Sequence, residues 1–88
     1  MIQYTLRSGF IKAYTKSFSK NSFIRKQVGD RIRLFQANPK NPLLHDHALK
    51  GKLHHFRSFS ITGDWRIIYY VEQGTAYFID IGTHNQVY

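Results

Sequence analysis

Five residues of this 88-residue sequence have the side-chain types that cleavage of an RNA strand requires: His47, Asp64, Arg66, His84 and Tyr88. Attack by a 2′-hydroxyl needs a base to remove its proton, cations to stabilise the crowded phosphorane and an acid to protonate the departing 5′-oxygen. Imidazole serves either proton transfer near neutral pH. Arginine presents a planar fork to phosphate oxygens, and Trp or Tyr rings stack on unpaired bases. Asp64, Trp65 and Arg66 stand side by side just after Gly63, at the start of an apolar alternation running to Val71. Taken locally, the trio also fits a turn aspartate, a core indole and a solvated strand arginine. Period-two alternation sets Asp64 and Arg66 on one face with Ile68, and Trp65 on the other with Ile67 and Tyr69. The remaining histidines are His45, His54 and His55. No thiolate or carboxylate completes a familiar ligand pattern with them, so no metal is expected. His54 and His55 fit the approach to a strand, at least one of them facing solvent. His84 follows Gly82 and Thr83, where a loop past the last strand can aim its ring at a cleft.

Positioning these groups falls to a β-α-α-β-β-β order. Residues 2–6, IQYTL, read as a short strand. Ser8 is expected to cap a helix over roughly 9–18, with Phe10, Ile11, Tyr14 and Phe18 at helical spacing. The SKNS stretch, Ser19 to Ser22, breaks that pattern. A second helix carries Ile24, Val28, Ile32 and Phe35 on one stripe, with Arg25, Lys26 and Arg33 toward solvent and Gly29 tolerated inside it. The prolines of NPKNP, Asn38 to Pro42, stop it. LLHDHALKGKL has loop character. Three strands are then expected, Phe56 to Thr62, Asp64 to Glu72 and Thr75 to Ile81, with separators of hairpin length. This is an α+β domain: two helices on one face of a mainly antiparallel sheet.

Composition narrows the classes. The length fits one domain over residues 1–88, and 42% hydrophobic with 16% aromatic residues suffices for a core. The absence of cysteine removes disulfides, thiolate nucleophiles and zinc–thiolate sites. A formal charge of +8 favours polyanions: nucleic acid, an acidic protein or an anionic surface. Nine of the thirteen Lys and Arg residues fall in the first forty positions, with Asp30 the one acid among them. The opening MIQYTLRSGF has no apolar run of signal-peptide length and no later stretch approaches a membrane span, so a cytoplasmic protein is expected.

From His47 to Tyr88 the chain resembles the C-terminal half of RelE-superfamily toxins, in particular their YafQ branch. The shared features are His-x-Leu-x-Gly at His47–Gly51, Asp-Trp opening a strand that contains Ile-Tyr, Gly-Thr-His at Gly82–His84, and an aromatic four positions later at Tyr88. The first half matches only in pattern. The resemblance implies a type II toxin that enters the ribosomal A site and cuts mRNA there without metal or cofactor. It also implies an acidic, partly disordered antitoxin that forms a hetero-oligomer with the toxin. Residue by residue, the family's first active-site His falls on His47, its Asp on Asp64, the adjacent aromatic on Trp65, its late His on His84 and its closing aromatic on Tyr88. Arg66 matches the strand arginine of RelE itself. One position departs: a second His in the strand before Asp-Trp is Ser60 here, one proton-transfer group fewer. The resemblance therefore implies His84 as general acid and His47 or Asp64 as base. Arg66 would hold the phosphate with Lys50 and Lys52, and Trp65 and Tyr88 would stack on or orient RNA.

Two other classes remain open. A ParE-like toxin would share the fold and poison DNA gyrase with no nuclease site, and a basic module could bind nucleic acid without catalysis. His47, Asp64 and His84 together argue for the nuclease; Ser60 keeps the alternatives in play.

Overall fold

A computed structural model of the chain describes residues 1–18 and 20–87. Ser19, within the expected break, and Tyr88, the expected closing aromatic, lie outside the described residues. The order is β1 (Gln3–Leu6), α1 (Ser8–Phe18), α2 (Ser22–Ala37), β2 (His47–Ala48), β3 (Arg57–Ser60), β4 (Trp65–Glu72), β5 (Thr75–Thr83) and α3 (His84–Val87). The strands form one sheet in the order β1-β5-β4-β3-β2, with β1 parallel to β5 and every other pair antiparallel. The α+β class with two helices on a mainly antiparallel sheet is therefore the observed one. β2 and α3 are additions to it.

The helices follow their apolar stripes. Phe10 and Phe18 of α1 are buried, with Ala13 and Tyr14 packed against the same cluster. Ile11, expected on that stripe, is 49% exposed, one position off the buried row. Ser8 does not cap: the Arg7 carbonyl accepts the Ile11 N–H, so Ser8 already lies in the first turn. A Cβ on Gly9 would lie 2.8 Å from the Ile79 carbonyl oxygen, so α1 rests directly on β5. The cap of α2 is Asn21, whose side chain accepts the Ile24 N–H. From α2, Phe35 is 0% exposed at the centre of the core. It stacks on Phe59 with centroids 4.7 Å apart and meets Tyr69 and Phe78 edge-on at 4.9 and 5.7 Å.

The sheet departs from expectation where the functional candidates lie. β3 pairs only from Arg57 to Ser60, and β4 opens at Trp65, so Asp64 sits in the turn between them. β5 runs on to Thr83, two residues past the expected end, because Thr83 pairs with Trp65. Within β5 the register slips at Ile79: Ile68 faces Asp80, while Tyr69 faces Phe78. Ala76 and Phe78 point into the core before this bulge, and Ile81 does after it. Gly82 is thereby turned to the other face, beside Arg66. The expected loop at 43–53 contains two single-turn 3₁₀ helices, Pro42–Leu44 and Gly51–Leu53, and β2 between them.

Candidate active site

Pairing register sets the functional side chains in rows across the sheet. On β2, His47 lies opposite Ser58 of β3; one step along, Ser60 lies opposite Arg66, which lies opposite Gly82. His47, Lys50 and His84 line one cleft of about 370 Å³ together with Ala48, Leu49 and Leu53. Two of the expected catalytic residues and one expected RNA-binding residue are thus brought together from β2, the turn after it and α3.

Backbone groups hold both cleft histidines. His45 takes a left-handed conformation, φ 47°, and its carbonyl lies 2.9 Å from His47 Nδ1. A carbonyl only accepts, so Nδ1 carries the proton and Nε2 of the neutral ring bears the lone pair, the arrangement of a base. His84 is the first residue of α3, a helix rather than the expected loop. The Thr83 N–H donates to Gln86 Oε1 at 2.9 Å, one half of a capping box. The His84 N–H donates to the Asp64 carbonyl at 3.1 Å, which staples the turn before β4 to the helix after β5. A Cβ on Gly82 would meet Gln86 Oε1 at 2.9 Å and Val87 Cγ1 at 3.0 Å, so glycine lets α3 fold back onto the strand. The Asp64 side chain is exposed beside this junction.

Arg66 lies apart from the two histidines. It lines a neighbouring depression of about 440 Å³ with Arg31, Leu43, His45, Ser60 and the Ile61–Gly63 turn. One guanidinium nitrogen of Arg66 donates to Ser60 Oγ at 2.9 Å. Ser60, which stands where the resembled pattern has a histidine, is thus an arginine holder and is 7% exposed. Arg66 Nε is buried and has no hydrogen-bond partner among the described residues. Trp65 faces the helices, its ring edge-on to Phe18 at 4.6 Å. Lys52 is exposed on the 3₁₀ turn that follows Lys50.

A cluster that sequence reasoning missed is built on Asp46, between His45 and His47. The Asp46 side chain is 7% exposed, and Arg57 donates to its Oδ1 through Nε and a terminal nitrogen, both at 2.7 Å. The Tyr69 hydroxyl donates to Oδ2. Burial and then the Asp46 carboxylate raise the Tyr69 pKa above its usual value. For Arg57, burial opposes the charge, but Asp46 and Tyr69 together outweigh it and the pKa ends up raised. The clue was a carboxylate flanked by histidines, His45-Asp46-His47, in a chain with five acids. Likewise Thr83-His84-Asn85-Gln86 is a capping-box spacing that marks α3.

Among the described residues no group of three or more His, Cys, Asp or Glu side chains could hold a metal ion. No helix among them is long and apolar enough to cross a membrane.

Comparison with known proteins places this geometry. Residues 2–88 match the family described as the bacterial toxin of type II toxin-antitoxin system, YafQ. A copper-bound mutant toxin from Helicobacter pylori is 29% identical, with a TM-score of 0.82 and 100% of both chains covered. A YafQ mutant from E. coli is 18% identical at a TM-score of 0.81, covering 100% of this chain and 99% of that one. The E. coli DinJ–YafQ complex gives 18% identity and a TM-score of 0.80 over the same shares, 100% and 99%. The last two likenesses are of fold. A search of curated proteins finds no match.

Proposed function

This chain belongs to the YafQ family of bacterial type II toxins, and from that premise we propose that it is an endoribonuclease that cleaves mRNA in the ribosomal A site by acid–base catalysis, without a metal. The observation that carries this reading is the single cleft lined by His47, Lys50 and His84.

His47 Nε2 removes the 2′-hydroxyl proton, since its Nδ1 proton is committed to the His45 carbonyl. The 2′-oxygen bonds to phosphorus, the bond to the 5′-oxygen breaks, and His84 protonates that oxygen as it leaves. The products are a 2′,3′-cyclic phosphate and a 5′-hydroxyl end. Lys50 neutralises charge on the phosphorane, with Arg66 supplying positive potential from the next row. Asp64, joined to His84 through its carbonyl, keeps the acid in place. Trp65 braces the start of β4, Lys52 contacts RNA outside the cleft, and Tyr88 keeps the RNA-stacking role that the family resemblance implies.

The family and the charge of +8 support an acidic antitoxin as the cellular partner, bound as a hetero-oligomer in the cytoplasm and competing with the ribosome. That DinJ forms a complex with a structural neighbour supports the same reading. The test is primer extension on programmed 70S ribosomes, with EDTA balanced by enough free magnesium to keep the ribosomes intact. A-site cuts by the wild type that His84→Ala suppresses are expected. Intact mRNA with wild-type protein that still arrests growth would overturn the nuclease reading in favour of gyrase poisoning.

A further inference from the structure

Arg31 and Arg66 reach one depression from opposite sides of the sheet. Arg66 stands on the face opposite Ile67 and the core, whereas Arg31 comes from α2, which packs on the core side. They meet because β2 covers β3 only at Arg57 and Ser58, which leaves the edge at Phe59 and Ser60 without a neighbouring strand. We propose that this depression is a second phosphate subsite, in which Arg31 and Arg66 hold the phosphodiester next to the one that is cut.

Charge supports an anion there. Among the described residues neither arginine is in an ion pair, and no carboxylate lines the depression. Asp30, the neighbour of Arg31 in sequence, is engaged by Lys26 and Arg33 instead. Both guanidinium groups are oriented by neutral acceptors, Arg31 by the Leu43 carbonyl at 2.6 Å and Arg66 by Ser60 Oγ at 2.9 Å. A guanidinium has five N–H donors, so most of each fork remains for a ligand. Arg66 Nε also has no protein partner among the described residues, and because it is buried it is the terminal guanidinium nitrogens that a ligand in the depression would meet.

Spacing supports the neighbouring phosphate in particular. His47 lies in the row of Ser58 and Arg66 in the row of Ser60, two residues further along β3. That step is about 6.6–6.8 Å, comparable to the reach between successive phosphates of an extended strand. His45 joins the two sites, its carbonyl accepting from His47 in one while its residue lines the other. An RNA strand laid along β3 would therefore place the cut phosphate at His47, in the cleft that Lys50 also lines, and the next between the two arginines.

This inference rests on the RNA reading above, and its test does not need cleavage. The probe is a labelled 2′-O-methyl trinucleotide, which has two phosphodiesters and no attacking hydroxyl, titrated by fluorescence anisotropy over a salt series. Arg31→Gln is expected to weaken binding about 3- to 10-fold and to lower the salt slope by about 0.7, one single-strand phosphate. Replacing either phosphodiester by a neutral methylphosphonate should weaken wild-type binding. One of the two replacements should cost Arg31→Gln nothing further, and the other should cost Lys50→Gln nothing further. Arg31→Lys, which keeps a donor for Leu43, guards against misfolding and should retain the salt slope while losing part of the affinity. Wild-type affinity and slope in folded Arg31→Gln would overturn the subsite, as would Arg31 and Lys50 coupling to the same linkage. So would an Arg31→Gln protein that loses an acidic antitoxin peptide but keeps RNA. Should the ribosome assay show no cleavage, this coupling pattern would still stand or fall by itself.

Discussion

Two charged clusters flank β3, and they are built on opposite terms. Arg57 and Ser60 are three residues apart, so alternation points them to opposite faces. On the helix side, the Asp46 carboxylate is buried and accepts from Arg57 and Tyr69, so its charge is answered within the protein. On the other side, Arg66 has one neutral acceptor in Ser60 and a buried Nε with no partner among the described residues. The first cluster is closed and the second is open to a ligand. A closed cluster of this kind positions the chain: Asp46 pins the backbone between His45 and His47, and so sets where the His47 ring stands. Polar groups that a fold leaves incompletely answered mark where it meets something else.

Four changes separate the two clusters, the largest expected effect first. Phe35→Ala removes the ring beneath Phe59 and Tyr69, the platform of the closed side, and should cost about 3–5 kcal/mol in denaturant unfolding. Melting like the parent would mean that α2 does not support β3 and β4 as described. Asp46→Asn leaves Arg57 and Tyr69 facing a neutral amide and should cost about 1–3 kcal/mol, with cleavage falling as His47 loses its anchor. Unchanged activity in that folded variant would show that the closed cluster does not position the base.

The third change is alkaline pH. The Tyr69 pKa is raised in the folded protein, so the folded state holds this proton more tightly than the unfolded chain does. Its stabilising contribution is complete below the unfolded value near 10 and is lost as pH rises from there toward the folded value. The slope for one proton is about 1.4 kcal/mol per pH unit. Tyr69→Phe should therefore lose less stability than the wild type between pH 10 and pH 11, read as a smaller drop in melting temperature. Equal drops would remove Tyr69 as the source. The smallest stability effect belongs to the open side: Ser60→Ala should shift stability by about 1 kcal/mol or less, the net worth of one hydrogen bond. The same variant should cut more slowly, because Arg66 loses its holder. A large stability loss with full activity would reverse the contrast between the clusters.

Long elements were legible because their periods are. The stripe Val28, Ile32, Phe35 and the alternation from Trp65 to Tyr69 are repeated signals, and both packed as their spacing indicates. Strand β2 has two residues, too few for a period, and exists because β3 offers it an edge. The reach of β5 to Thr83 and its bulge at Ile79 depend on pairing with β4, which no local pattern specifies. At the site, residue types suggested His47 and His84, but only the fold places them in one cleft. It is also the fold that sets Arg66 beside Ser60 and Arg31. The burial of Asp46 is tertiary altogether, since its partners lie 11 and 23 residues away.

The assignment of His47 as base and His84 as acid can be tested at the atom that His84 protonates. The measurement is cleavage, on programmed ribosomes, of an mRNA whose scissile 5′-oxygen is replaced by sulfur, a leaving group that needs no acid. His84→Ala should cut this substrate at nearly the wild-type rate while remaining about 10²- to 10⁴-fold slower on the oxygen substrate, whereas His47→Ala should stay slow on both. Rescue of His47→Ala by sulfur, or failure of sulfur to rescue His84→Ala, would contradict the assignment.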